Sequence, residues 1–150
     1  MKIGFILDQI IVCGGVLTCY NYVKELRKRG YEADIYANGK NEQLSSDYNY
    51  NSKPISDLAD FSDEDVIICV WWPQADQLEQ YKGRKIQFIQ GRDDLAAVGE
   101  DWVKKCYETR MNKKWELIAV SKYCMEWIDR DDYVIIPNGI SQKFLDYAKN

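Results

Sequence analysis

At five places the chain sets glycines, carboxylates, an arginine, tryptophans or a serine after an apolar run, and it has no histidine anywhere. The places are Asp8 to Gly15, Trp71 to Asp76, Gln90 to Asp94, Ser121 to Tyr123 and Asn138 to Gly139. Without an imidazole, a Ser-His-Asp triad, a Cys-His dyad and an HExxH zinc site are all excluded. Any catalysis must rest on carboxylates, backbone amides, Lys, Tyr or Cys.

Each cluster has a functional and a plain reading. Gly14-Gly15, between an apolar run and a helical pattern, lets a ligand approach the backbone while amides at the helix start face an anion or a sugar hydroxyl. It equally suits a tight turn that needs two glycines. The spacing is neither the dinucleotide GxGxxG nor the phosphate-cradling GxxxxGK[ST]. Trp71 and Trp72 offer an indole face to a sugar ring, although one of the two is expected in the core. Gln90-Gly91-Arg92-Asp93-Asp94 brings together groups that hydrogen-bond hydroxyls, or forms a solvated loop in which Asp93 or Asp94 caps the next helix. Asp8 is a candidate carboxylate or a turn residue. Ser121 stands where it can cap a helix or line the same edge.

The whole chain bounds these readings. Its 150 residues suit one domain. Twenty basic and 24 acidic side chains leave a net charge of −4, with no basic stripe of the kind nucleic-acid binding uses. The five cysteines are odd in number and form no CxxC pair, as expected of reduced thiols in a cytosol. The start, Met1-Lys2-Ile3-Gly4-Phe5, lacks the pattern of a signal peptide. The longest apolar run, Val66 to Trp72, is too short to cross a bilayer. We therefore expect a cytoplasmic protein with no metal. Lys104, Lys105, Arg110, Lys113 and Lys114 beside Trp102, Tyr107 and Met111 make a helix that can rest on an anionic lipid surface at the inner face of the membrane, or simply a solvated helix.

The elements that must position these groups follow from periodicity. Lys2 to Leu7, Tyr31 to Ala37, Val66 to Trp71, Lys85 to Ile89, Glu116 to Val120 and Tyr133 to Ile136 read as strands. Val16, Tyr20, Val23 and Leu26 define a helix stopped by Lys28-Arg29-Gly30. Further helices are expected over Ala75 to Tyr81, stopped by Gly83, over Glu100 to Met111, over Lys122 to Asp129, and after Ser141. Asn38 to Asp65 reads mostly as loop, anchored by Leu44, Ile55, Leu58 and Phe61, with a short strand near Lys53 to Ile55. Apolar strands alternating with helices imply an α/β, Rossmann-like three-layer sandwich with a mostly parallel sheet. Ligands then bind beyond the carboxyl ends of the strands, where all five clusters fall.

The order of these pieces resembles the N-terminal domain of GT-B glycosyltransferases, and especially the retaining glycosyltransferase family 4. Lys2-Ile3-Gly4-Phe5, Gly14-Gly15-Val16 and the helix to Arg29-Gly30-Tyr31-Glu32-Ala33 look like that family's opening. Asp65-Val66-Ile67-Ile68 looks like its central strand, Leu117 to Lys122 like its "I.VS" strand, and Val134-Ile135-Ile136-Pro137-Asn138-Gly139-Ile140 like its "VIPNGI" hinge. The resemblance covers nearly the whole chain and implies the acceptor-side half of a two-domain enzyme. The donor domain that binds the nucleotide-sugar is expected to be missing from this chain, and the isolated domain to be inactive alone. It implies that Gly14, Gly15 and the Gln90-Gly91 strand end line the acceptor and donor-diphosphate cleft, an inter-domain turn at Asn138-Gly139, and a sugar or glycoconjugate acceptor; on the reading of the strand-end loops above, Asp8, Trp72, Arg92, Asp93 and Ser121 line the same cleft. Cofactors are not implied, since the nucleotide-sugar is a co-substrate. Gln90-Gly91 replaces a histidine-aspartate pair of many members. Retaining enzymes of this kind use the leaving phosphate to take the acceptor proton, so the change does not preclude transfer.

A stand-alone ligand-binding or interaction module of flavodoxin or receiver type is the alternative. A receiver needs an acidic pair after its first strand, an aspartate after the third and a lysine after the fifth, and this chain supplies only Asp8. Ile10-Ile11-Val12-Cys13 is not the Ser- and Thr-rich phosphate loop of a flavin binder.

Overall fold

The computed structural model describes residues 1–39, 51–96 and 98–139. Leu44 and the helical stretch expected after Ser141 lie outside them. Six strands form one parallel sheet: β1 (Lys2–Leu7), β2 (Glu32–Ala37), β3 (Val66–Cys69), β4 (Arg84–Ile89), β5 (Glu116–Ala119) and β6 (Tyr133–Ile135), in the order β2-β1-β3-β4-β5-β6. The chain is therefore a Rossmann-like α/β fold. Its direction of travel reverses at β1, which has β2 on one side and β3 on the other.

Alternation along the strands divides the core. Ile3, Phe5 and Leu7 of β1 join Ala33, Ile35, Ile86 and Phe88 under helix α1 (Gly14–Lys28), which buries Val16, Cys19, Tyr20 and Val23. Ile6 points the other way, with Tyr36, Ile67, Cys69 and Trp115, against Leu58, Phe61, Ala75 and Leu78. Farther along that face, Ile89, Leu117 and Ala119 pack on Cys124, Met125 and Ile128. Gly4 is small for a reason within the fold: a Cβ there would lie 3.1 Å from both Phe61 and Tyr36.

Several boundaries depart from periodicity. The strand expected to Trp71 stops at Cys69. The helix expected over Ala75 to Tyr81 is a 3-10 turn at Trp72–Gln74 running into a short α2 (Ala75–Leu78), because the chain must return to β4 through Gly83. Gly83 has φ +107° and lies against Asp65, whose carbonyl a Cβ would meet at 2.8 Å. Helix α3 (Glu100–Met111) has the expected bounds. The helix expected over Lys122 to Asp129 is only a 3-10 turn at Lys122–Met125, and Ser121 makes no side-chain cap. Arg130 explains the early end, since its guanidinium is drawn inward onto the carbonyls of Arg110 (3.0 Å), Asn112 (3.2 Å) and Trp115 (3.1 Å). In the polar segment, Ile55–Asp60 is a 3-10 turn that buries Leu58. In place of a strand near Lys53, that residue alone bridges to Tyr36 in parallel.

Candidate functional site

Because the sheet is parallel, Asp8, Trp71, Gln90, Ser121 and Asn138 all fall beyond the carboxyl ends of their strands, on one edge of the sheet. The start of α1 lies on this edge, with Cys13 and Gly14 exposed. Cys13 is its N-cap residue with extended backbone, no side chain caps the first turn, and no acidic residue stands there. Uncapped amides at a helix start favour an anion or a hydroxyl oxygen.

Gly14 and Gly15 are helical residues, so the tight-turn reading does not describe them. Neither has positive φ. A Cβ on Gly14 would meet nothing within 4 Å, and one on Gly15 would meet only the Gln90 side chain at 3.4 Å, an ordinary contact. A helical glycine costs stability relative to alanine, so here it serves no need of the fold. We expect Gly14→Ala and Gly15→Ala each to raise stability by about 0.5 kcal/mol, read as a higher midpoint in thermal unfolding. A loss of stability in either variant would return the pair to a structural role.

Gln90 reaches across from β4 and donates from Nε2 to the Gly15 carbonyl (3.4 Å) and weakly toward Cys19 Sγ (3.8 Å). It joins the end of β4 to the start of α1. Gly91 beside it is exposed, with nothing within 4 Å of a Cβ. Arg92 is less available than its position suggests. It grips Asp94 with two bonds of 2.6 Å, donates to Glu126 at 3.0 Å and lies 5.1 Å over the Tyr123 ring. That bidentate bond raises the guanidinium pKa further and holds Asp94 below the usual carboxylate range. Neither Asp93 nor Asp94 caps α3, whose N-cap is Gly99 at φ +93°. Asp93 instead accepts from Arg110 at 3.0 Å.

Trp72, assigned to the cleft from sequence, is 7% exposed and packs edge-on to Trp102, 4.9 Å between centroids. Its neighbour Trp71 is the available indole, 41% exposed and tilted against Trp102 at 5.9 Å. Ser121 is half-buried with Oγ 3.3 Å from Cys124 Sγ. Asp8, Asn138 and Gly139 are exposed.

Arg110, placed by the sequence among the outward cations of a lipid-facing helix, turns inward instead, and the sequence carries a signal of this. It follows Val103, Cys106 and Tyr107 at helical spacing, on the inward face of α3. It is 2% exposed and donates to Gln87 Oε1 (2.8 Å) as well as to Asp93, and so fixes the base of the Gln90–Asp94 loop. The inward turn of α3 also weakens the lipid-surface reading. Trp102 packs against Trp71 and Trp72, Trp115 is in the core, and the outward lysines Lys104, Lys105, Lys113 and Lys114 share the exposed face with Glu100, Asp101 and Glu108.

Burial pushes the thiols of Cys19, Cys69 and Cys106 up to about 12, so these three are packing groups. Among the described residues no group of His, Cys, Asp and Glu is placed to hold a metal, and no helix is long and apolar enough to cross a membrane. A cavity of about 270 Å³ lies at the opposite edge, between the amino ends of β4 and β5. Its charges largely answer one another, Arg84 with Glu116 and Lys114 with Glu79, so it offers little to a charged ligand.

The carboxylates whose pKa moves also set the acid response. Arg130 holds Asp132 down to about 2, and Arg84 lowers Glu116. These folded pKa values lie below the unfolded ones. The stabilisation is therefore complete above the ordinary carboxylate range and is lost as pH falls from about 4 toward 2. With no histidine, thermal midpoints are expected to be level from about pH 5.5 to 7.5 and to fall below about pH 4. A step between about pH 6 and 7 would contradict this.

Comparison with protein families, curated proteins and solved structures returns no match.

Proposed function

We propose that the chain is the acceptor-side domain of a retaining glycosyltransferase, acting with a second domain or partner chain that carries the nucleotide-sugar site. The observation that carries this reading is the uncapped start of α1, with two glycines the fold does not need, beside Gln90 on the carboxyl edge. The order of sequence segments that resembles family 4 supports it. On this reading the amides of Gly14 and Gly15 face the transferred group or its phosphate, Gln90 orients that loop, and Trp71 flanks the acceptor sugar. The leaving phosphate, held by the other domain, takes the acceptor proton.

Isothermal titration of the 150-residue chain with UDP-, GDP- and dTDP-sugars tests it. Donor affinity weaker than about 1 mM is expected. Amide shifts at Gly14, Gly15 and Gly91 are expected with an acceptor-type glycan. Micromolar donor binding by the chain alone would overturn the half-enzyme reading. The strand order is also that of flavodoxin-type folds, so a stand-alone binding module is the second reading. Recovery of a bound flavin with the purified chain would favour it.

A further inference from the structure

An asparagine followed by glycine is prone to lose its side-chain amide, because the glycine nitrogen has no neighbouring Cβ to shield it and asparagine is itself thermolabile. The chain has two such pairs, Asn38-Gly39 after β2 and Asn138-Gly139 after β6. Reaction requires the backbone nitrogen after the asparagine to swing onto the side-chain carbonyl carbon. Hydrogen bonds that hold the intervening peptide prevent it.

That requirement sorts the asparagines among the described residues. Asn21 lies inside α1, where the helix ladder fixes the next peptide. The Asn112 side chain is held at both ends, since Nδ2 donates to Glu79 at 3.1 Å and Oδ1 accepts from the Lys114 amide at 3.1 Å. Asn51 is followed by Ser52, whose Cβ shields the attacking nitrogen. Asn38-Gly39 is exposed but pinned on both sides. The Ala37 amide donates to the Lys53 carbonyl at 2.9 Å, and Ser52 Oγ donates to the Gly39 carbonyl at 3.0 Å. Asn138 and Gly139 are exposed, and the described residues make no hydrogen bond to either. The last backbone bond before them runs from the Ile136 amide to Ala119 at 2.9 Å. Pro137, between, has no N–H to give. A Cβ on Gly139 would meet nothing within 4 Å.

We propose that Asn138 is a site of spontaneous deamidation and isomerisation, the fastest among the described residues, and that the Ser52 bond holds Asn38 back. The Gly139 nitrogen gives its proton to hydroxide and bonds to Asn138 Cγ. The Cγ–Nδ2 bond then breaks, and ammonia leaves with a proton from water. Water opens the resulting succinimide at either carbonyl, giving aspartate or, with the backbone rerouted through the side chain, isoaspartate. The balance is one water gained and one ammonia lost, with no change of oxidation state. Each conversion adds a negative charge to the −4 of the parent chain, and isoaspartate also lengthens the backbone of the turn after β6 by one carbon.

The full chain, incubated warm at mildly alkaline pH, is mapped by mass spectrometry for amide loss at each asparagine. Methylation by a protein isoaspartyl methyltransferase reads the isomer. Conversion at Asn138 should be first order, quicken with pH and run at least about fivefold faster than at Asn38, the factor that one net hydrogen bond represents. Asn138→Gln should abolish the signal and Gly139→Ala should slow it, neither moving the thermal midpoint. Ser52→Ala should quicken loss at Asn38. In urea the two sites should convert at similar rates, since it is the fold that separates them. Asn38 converting as fast as Asn138 in the folded chain overturns the proposal, as does a gap between them that persists in urea. So does an unchanged rate in Gly139→Ala or, at Asn38, in Ser52→Ala. An Asn138 that stays intact while the unfolded chain converts overturns it as well.

Discussion

Arg110→Ala is expected to destabilise the chain by about 3–5 kcal/mol, the range for breaking a buried charge pair from one side. The guanidinium is 2% exposed, and its removal leaves Gln87 Oε1, on a residue with no exposure, without its donor. It also strands Asp93, whose side chain is 18% exposed. A buried polar group left without its partner bears the full cost of desolvation. Urea unfolding measures the loss. Asp93→Ala should cost less, because Arg110 keeps Gln87. The double variant should cost less than the two singles added, which a double-mutant cycle reads as coupling. A loss below about 1 kcal/mol in Arg110→Ala would mean that the Gln90–Asp94 loop is held by something else. If the loss is as expected, amide shifts in Arg110→Ala should also spread to Gly91 and Gly15, since the loop is tied to α1 through Gln90.

Arg130→Ala ranks second, at about 3 kcal/mol. Its side chain, 2% exposed, is the donor to three backbone carbonyls at the end of α3 and the turn into β5, and it pairs with Asp132 on the outside. Alanine leaves those carbonyls unanswered and loosens the base on which Arg110 stands. Arg130→Lys keeps the charge but not the fork that spans three acceptors, so it should recover less than half of the loss. Full recovery by lysine would show that charge, not geometry, is what this position supplies. Asp132→Asn separates the outer pair from the inner fork. It should lower stability slightly at neutral pH, as exposed pairs contribute little, and the deficit should vanish as pH falls from about 4 toward 2, where Asp132 is protonated in the parent chain as well.

The strands and their order of appearance were legible in the sequence because an all-parallel sheet writes itself as apolar runs between helices, and α3 was legible to the residue. Three features were not. Trp71 and Trp72 alternate across a strand end, and period alone does not say which faces the core. The partner that decides, Trp102, comes 30 residues later. The segment after Ser121 has helical spacing, but a tertiary demand, the inward pull on Arg130, overrides it. Arg92 and Asp93 were legible as a polar cluster, but their partners Glu126 and Arg110 lie on other elements, so neither the neutralised cation nor the anchored loop could be read locally. Gly14 and Gly15 show the converse. Sequence left two meanings open, and backbone angles with open space above them removed the turn.

The placement of β1 has a consequence for synthesis on the ribosome. It is made before β2 and β3 and lies inside the sheet, hydrogen-bonded on one side to β2 and on the other to β3. After β1 and β2 emerge, its second edge stays open until residues near Val66 follow, a delay of about 1.5–6 seconds at about 5–20 residues per second. An open apolar strand edge is a template for wrong pairing. The nascent chain therefore carries an aggregation hazard in the six-residue β1, the same strand that later seats Asp8 and aims α1. Yield of soluble protein should respond to translation rate and chaperone supply before it responds to any change at the carboxyl edge.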